Sequence, residues 1–159
     1  MALRAHASSA QGTFRKADVD ATGQLRIVLS NARVIRPAAD SDQVGFEQVA
    51  LSADRRIVGW VALHPNCCTS YPIPLTLVLL RTDGRRTVIG DGLPIWQWAF
   101  TADARSVVIR RAPVHGAAPT LYERRDVRTG RVLATAQTNT PAPVALPEWV
   151  PDAMQQRAQ

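Results

Sequence analysis

Short apolar runs separated by turn-forming residues recur along most of the chain. This is the pattern of β-strands joined by tight connections. Gln24–Leu29 alternates apolar and polar at its start, which predicts a half-buried strand. Thr22-Gly23 before it and Ser30-Asn31 after it are turn chemistry. Arg33–Ile35 reads as a short partner strand stopped by Pro37, and 40–45 reads as a polar loop. Residues 13–35 thus predict an N-terminal β-hairpin.

The next stretch is written twice. Phe46–Arg56 reads FEQVALSADRR, and Ile95–Arg105 reads IWQWAFTADAR. Gln48 falls on Gln97, Asp54 on Asp103 and Arg56 on Arg105 at a constant offset. Each copy is an apolar run, a Ser/Thr-Ala-Asp turn, an Arg and a second apolar run. In the first unit, 46–89, strands are expected at Phe46–Leu51, Ile57–Leu63, Leu75–Leu80 and Arg86–Ile89. Ile57–Leu63 is almost continuously apolar, which predicts burial on both faces. Asp83-Gly84 is a hairpin turn. In the second unit, 95–137, strands are expected at Ile95–Phe100, Ser106–Arg110, Thr120–Val127 and Val132–Ala136, with a turn at Arg128–Arg131.

The fold class expected is therefore all-β: two four-stranded antiparallel sheets, an N-terminal hairpin and an extended Pro-rich C-terminal tail. The division expected is a flexible start at 1–12, one all-β domain at 13–137 and a tail at 138–159 docking through Trp149. The two units pack face to face as a sandwich-like body with the 13–35 strands extending one sheet, or copies of the chain associate to cover the open faces.

The pairs ALSADRRIV and AFTADARSVV resemble the F-S-P-D-G-x-x-I/V repeat of TolB-type and WD-repeat-like β-propellers. RTDGR and DVRTGR resemble the turn after the third strand of such blades. The likeness covers residues 46–137. It implies blade-like sheets with a period of roughly 40–50 residues, and it favours an interaction scaffold over catalysis. Ala53 and Ala102 stand where the motif has proline, and Arg55 and Ala104 where it has glycine. Two blades do not close a propeller.

Composition adds a partner class. The 159 residues carry a formal net charge of +6, and Lys16 is the only lysine. A basic chain favours acidic partners. The arginines are scattered, without a basic run or an interleaved aromatic platform, so nucleic acid is disfavoured and an acidic protein is the partner expected. No apolar run approaches the length that spans a membrane, so no membrane insertion is expected. AHASSAQ at 5–11 has an A-x-A cleavage pattern without the apolar stretch that precedes one in a secretory leader. A periplasmic or secreted place is expected, with the cytoplasm as the alternative.

Candidate chemistry is confined to the long loops. Cys67 and Cys68 are adjacent, and metal sites want spaced ligands, so no metal or cofactor is expected. The 64–74 loop, HPNCCTSYPIP, holds three prolines, which exclude helix. A thiol–imidazole pair from Cys67 or Cys68 with His64 or His115 gives one reading, a thiol-dependent enzyme or redox protein. The other reading is a non-enzymatic protein-interaction domain of bacterial envelope or antitoxin-like inhibitor type. Trp96 and Trp98, two apart, are expected on one strand face. The interaction rim expected is Tyr71, Trp96, Trp98 and His115, with Arg110 and Arg111 supplying charge.

Overall fold

The computed structural model describes residues 12–116, 119–138 and 145–155. Nearly all of the expected flexible start, and residues 139–144 and 156–159 of the tail, lie outside them. The described residues form three antiparallel sheets. The first contains β1 (Phe14–Val19), β2 (Leu25–Leu29) and β3 (Val34–Ile35). The second contains β4 (Gly45–Leu51), β5 (Ile57–His64), β6 (Ile73–Arg81) and β7 (Arg86–Ile89). The third contains β8 (Ile95–Phe100), β9 (Ser106–Arg111), β10 (Thr120–Asp126) and β11 (Val132–Thr138). Within each sheet every strand pairs with its neighbours in the chain.

The second sheet is the middle layer. Alternation along β5 sends Val58 and Trp60 to one face and Ile57, Gly59 and Val61 to the other. Val58 and Trp60 pack with Phe14, Leu25, Ile27 and Leu29 of the first sheet. Ile57 and Val61 pack with Ile95, Trp98, Val107 and Ile109 of the third. The unbroken apolar run at 57–63 is thus a strand with a core on each side.

Two details of the N-terminal region differ from expectation. β1 makes the hairpin three-stranded; in FRKADV only Phe14 and Ala17 pack on the core, so charged neighbours hide the strand period. These strands also do not extend a four-stranded sheet but stack on its face. Leu25, Ile27 and Leu29 share one face of β2, and laying that face on Val58, Trp60 and Leu80 removes far more apolar surface from water than edge pairing would.

The outer face of the third sheet, at Val108 and Tyr122, is covered by the chain's last described segment. Val150 and Met154 are buried there, Leu146 and Trp149 pack against them, and Asp152–Gln155 forms the short helix α1. Tyr122 Oη donates to the Met154 carbonyl at 3.4 Å.

The repeated Ser/Thr-Ala-Asp segments open four-residue hairpin loops, 53–56 and 102–105, each closed by the Ser52 amide on the Ile57 carbonyl or the Thr101 amide on the Ser106 carbonyl. Arg55 N donates to the Ser52 carbonyl and Ala104 N to the Thr101 carbonyl, both at 2.9 Å. Arg55 and Ala104 take φ of 57° and 55°, the left-handed region that glycine supplies cheaply. The hydroxyl before each turn offsets that cost. Ser52 Oγ donates to Asp54 Oδ1 at 2.7 Å and accepts from Ile57 N at 2.9 Å. Thr101 Oγ1 does the same with Asp103 at 2.7 Å and Ser106 N at 3.2 Å. The Ser52 hydroxyl and the Arg56 amide hold the Asp54 carboxyl below its ordinary pKa despite partial burial. Thr101 and the Arg105 amide do so for Asp103.

Ser52→Ala therefore leaves the Ile57 amide without its side-chain acceptor in a buried place. An unfolding titration in urea is expected to show a loss of about 1–3 kcal/mol. An unchanged midpoint would mean that the hydroxyl does not hold the turn.

Candidate functional site

The tight turns β4–β5, β6–β7, β8–β9 and β10–β11 line one recess, so they gather at one end of the stack. The longer connections 65–72, 90–94 and 112–119 join the opposite ends of the same strands. At the turn end, Asp54, Asp83, Asp103 and Asp126 are occupied by local donors: the amides of Arg56, Arg85, Arg105 and Arg128 each reach the aspartate two residues earlier. Those carboxylates belong to the fold.

A second recess, of about 610 Å³, lies on the side of the long connections. It is lined by Gln48 of β4, Trp96 and Gln97 of β8, Arg110 of β9 and the 112–114 segment. Two backbone irregularities shape it. β4 shifts register between Glu47 and Ala50, and Gln48 there has φ of 50°. β8 shifts register between Ile95 and Gln97. Bulges of this kind re-aim side chains.

The bulge in β8 separates the two tryptophans that simple alternation places on one face. Ile95 and Trp98 both point into the core. Trp98 Nε1 donates to the Gln48 carbonyl at 3.0 Å, which ties the bulge of β4 to the neighbouring sheet. Trp96 is left half-buried at the recess, where its Nε1 donates to the Ala112 carbonyl at 2.9 Å. That bond fixes the indole against the 112–114 segment. Gln48 and Gln97, equivalent positions of the two repeats, both face the recess. Gln48 Nε2 also approaches the Ile95 carbonyl at 3.5 Å. Trp60 belongs to the other core, with Arg86 stacked 5.6 Å from its ring centroid.

Of the expected rim, Trp96 and Arg110 line the recess, while Trp98 is core. His115 is exposed just beyond Val114 and does not line it. Tyr71 is 49% exposed in the 65–72 connection and does not line it either. Arg111 corrects the expectation most sharply. It is 1% exposed and lies between the second and third sheets, where Val107 and Ile109 on the same strand face belong to the core.

Arg111 is part of a buried ionic cluster. Its Nε donates to Glu123 Oε2 at 2.8 Å and its Nη1 to the Leu93 carbonyl at 2.6 Å. Arg125 Nε donates to the same Oε2, and Nη2 to Oε1, both at 3.0 Å. Arg125 also reaches Asp91 at 3.2 Å and the Gly130 carbonyl at 3.1 Å. Burial pushes the Arg125 pKa down, but Glu123 and Asp91 outweigh it and the net shift is upward. The cluster clamps the 90–94 connection and the β10–β11 turn onto the third sheet. Its sequence signal is the E-R-R spacing at 123–125, which puts Glu123 and Arg125 on one strand face.

Cys67 and Cys68 are exposed, free thiols with sulfurs 2.7 Å apart. The Cys67 sulfur raises the Cys68 pKa. Among the described residues no hydrogen bond joins either cysteine to a histidine; His64 Nδ1 lies 3.6 Å from Asp42. No cluster of three or more His, Cys, Asp or Glu that could hold a metal ion occurs among the described residues. No helix among them is long and apolar enough to cross a membrane. No protein-family model matches the sequence, and a search of curated proteins finds no match.

Proposed function

We propose that the chain is a non-catalytic binding module for an acidic protein, engaged through the recess between β4, β8 and the 112–114 segment. The observation that carries this reading is the indole of Trp96, held half-exposed by its bond to the Ala112 carbonyl and set beside Arg110. Tryptophan and arginine are the side chains most often found at the centres of interfaces. Gln48 and Gln97 add a polar wall to the recess. The formal charge of +6 favours an acidic surface.

Kinship with propeller blades belongs to the same proposal. Its support is that Arg55 and Ala104, where the blade motif carries glycine, take left-handed φ. An envelope location and an inhibitor-like role fit a small basic β domain. A thiol-dependent enzyme has weaker support, because a nucleophilic cysteine needs a depressed pKa and that of Cys68 is raised.

The test is capture from the source cell at low salt with the wild-type chain, Trp96→Ala and Leu133→Ala. Leu133 is exposed on β11 and does not line the recess. A stoichiometric acidic partner is expected with the wild type and Leu133→Ala. Its affinity should fall by about 2 kcal/mol or more in Trp96→Ala. A chain that retains no partner, or a partner indifferent to Trp96, sinks the proposal.

A further inference from the structure

Adjacent side chains on an extended backbone point to opposite sides, so neighbouring cysteines ordinarily hold their sulfurs apart. At Cys67 and Cys68 the chain turns instead, and both sulfurs come to one side at 2.7 Å. The Cys68 amide donates to Asn66 Oδ1 at 3.3 Å, and Thr69 Oγ1 donates to the Tyr71 carbonyl at 2.6 Å. Pro65 and Pro72 bracket the segment and restrict its backbone. The loop thus presents two exposed thiols already in contact. They are the only cysteines in the chain.

We propose that Cys67 and Cys68 form a redox site that closes to a vicinal disulfide by exchange with a low-molecular-weight disulfide of the glutathione class. The Cys67 thiolate attacks one sulfur of the small disulfide, forming a mixed disulfide and releasing one thiolate, which takes a proton. The Cys68 thiolate then attacks the Cys67 sulfur, closing the intramolecular bond and releasing the second small thiol. Two protein thiols are oxidised, one small disulfide is reduced to two thiols, and the protons lost by the protein are gained by the products. Cys68 keeps its proton longer because of its neighbour, which suits it to the second, resolving step.

The closed form is readily reopened. Adjacent α-carbons sit about 3.8 Å apart across a trans peptide, short of the usual disulfide range of about 4.4–6.8 Å. Strained disulfides of this sort are the oxidising, labile ones. The pair thus responds to a shift in the surrounding thiol–disulfide ratio and does not serve as a permanent staple.

The experiment incubates the full chain with oxidised glutathione and reads intact mass and alkylation by iodoacetamide. The wild type is expected to lose two hydrogens and both alkylation sites without retaining glutathione, and an excess of reduced glutathione restores both sites. Cys68→Ser is expected to stop at a glutathione adduct on Cys67. A wild-type chain that keeps the adduct, forms a disulfide-linked dimer or remains fully alkylatable overturns the proposal. None of these readouts depends on the Trp96 recess, so the two proposals stand or fall separately.

Discussion

Glu123→Ala is expected to cost the fold about 3–5 kcal/mol, the range for removing one partner of a buried ion pair. The reason lies in what remains. Arg111 and Arg125 are 1% and 6% exposed, and Glu123 accepts from both. Without the carboxylate, two guanidinium groups stay buried with one fewer charge between them, and Arg125 keeps only the exposed Asp91 carboxylate and the Gly130 carbonyl among the partners described. A loss of that size is a large share of a domain's total stability, about 5–15 kcal/mol. Urea or thermal unfolding reads it directly. A change below about 1 kcal/mol would show that the pair contributes little beyond its shape. Replacing Arg111, Glu123 and Arg125 together by apolar residues of similar size is expected to cost much less than Glu123→Ala alone, because no charge is then stranded.

Gly59→Ala is the second large effect. Gly59 sits in β5 facing the third sheet, and a Cβ there runs into Cη2 of Trp98 and comes within 2.8 Å of Leu79 Cδ2. Both neighbours are core side chains, and Trp98 is tethered through its Nε1 to the Gln48 carbonyl. The added methyl therefore pushes the middle and third sheets apart or breaks that bond. Overpacking costs about 1–3 kcal/mol, with the upper end expected here. A double-mutant cycle with Trp98→Phe checks the cause: the smaller ring should make Gly59→Ala markedly cheaper. Equal costs in both backgrounds would place the strain elsewhere.

Much of the architecture was legible in the sequence. The apolar run at 57–63, the duplicated Ser/Thr-Ala-Asp turns and the Asp-Gly turn at 83–84 each act locally, so residue types alone announce them. The separation of Trp96 from Trp98 was not legible. It depends on a bulge at 95–97, and the matching bulge at Gln48 has a left-handed φ on a residue that does not advertise one. Arg111 was misplaced at the rim for a related reason. Its partner Glu123 lies on the neighbouring strand, and only the register of β9 against β10 brings the two together. Gln48 and Gln97 were visible as a repeated pair. What they share, a wall of one recess, requires the sheets to be stacked.

The sequential pairing of strands has a kinetic consequence. Since every strand's hydrogen-bonded partner is its neighbour in the chain, no strand waits for a distant segment to arrive, and hairpins of this kind close within about 1–10 μs. The slow event is then the docking of preformed sheets, which buries β5 on both sides at once. Opening runs in reverse. The first sheet rests on the second through one apolar face and two backbone-directed bonds at Arg55, from Phe14 N and to the Arg15 carbonyl. Its amides are expected to exchange with solvent through partial detachment, and those of β5 only through unfolding of the whole body, a difference that native-state hydrogen exchange reads directly.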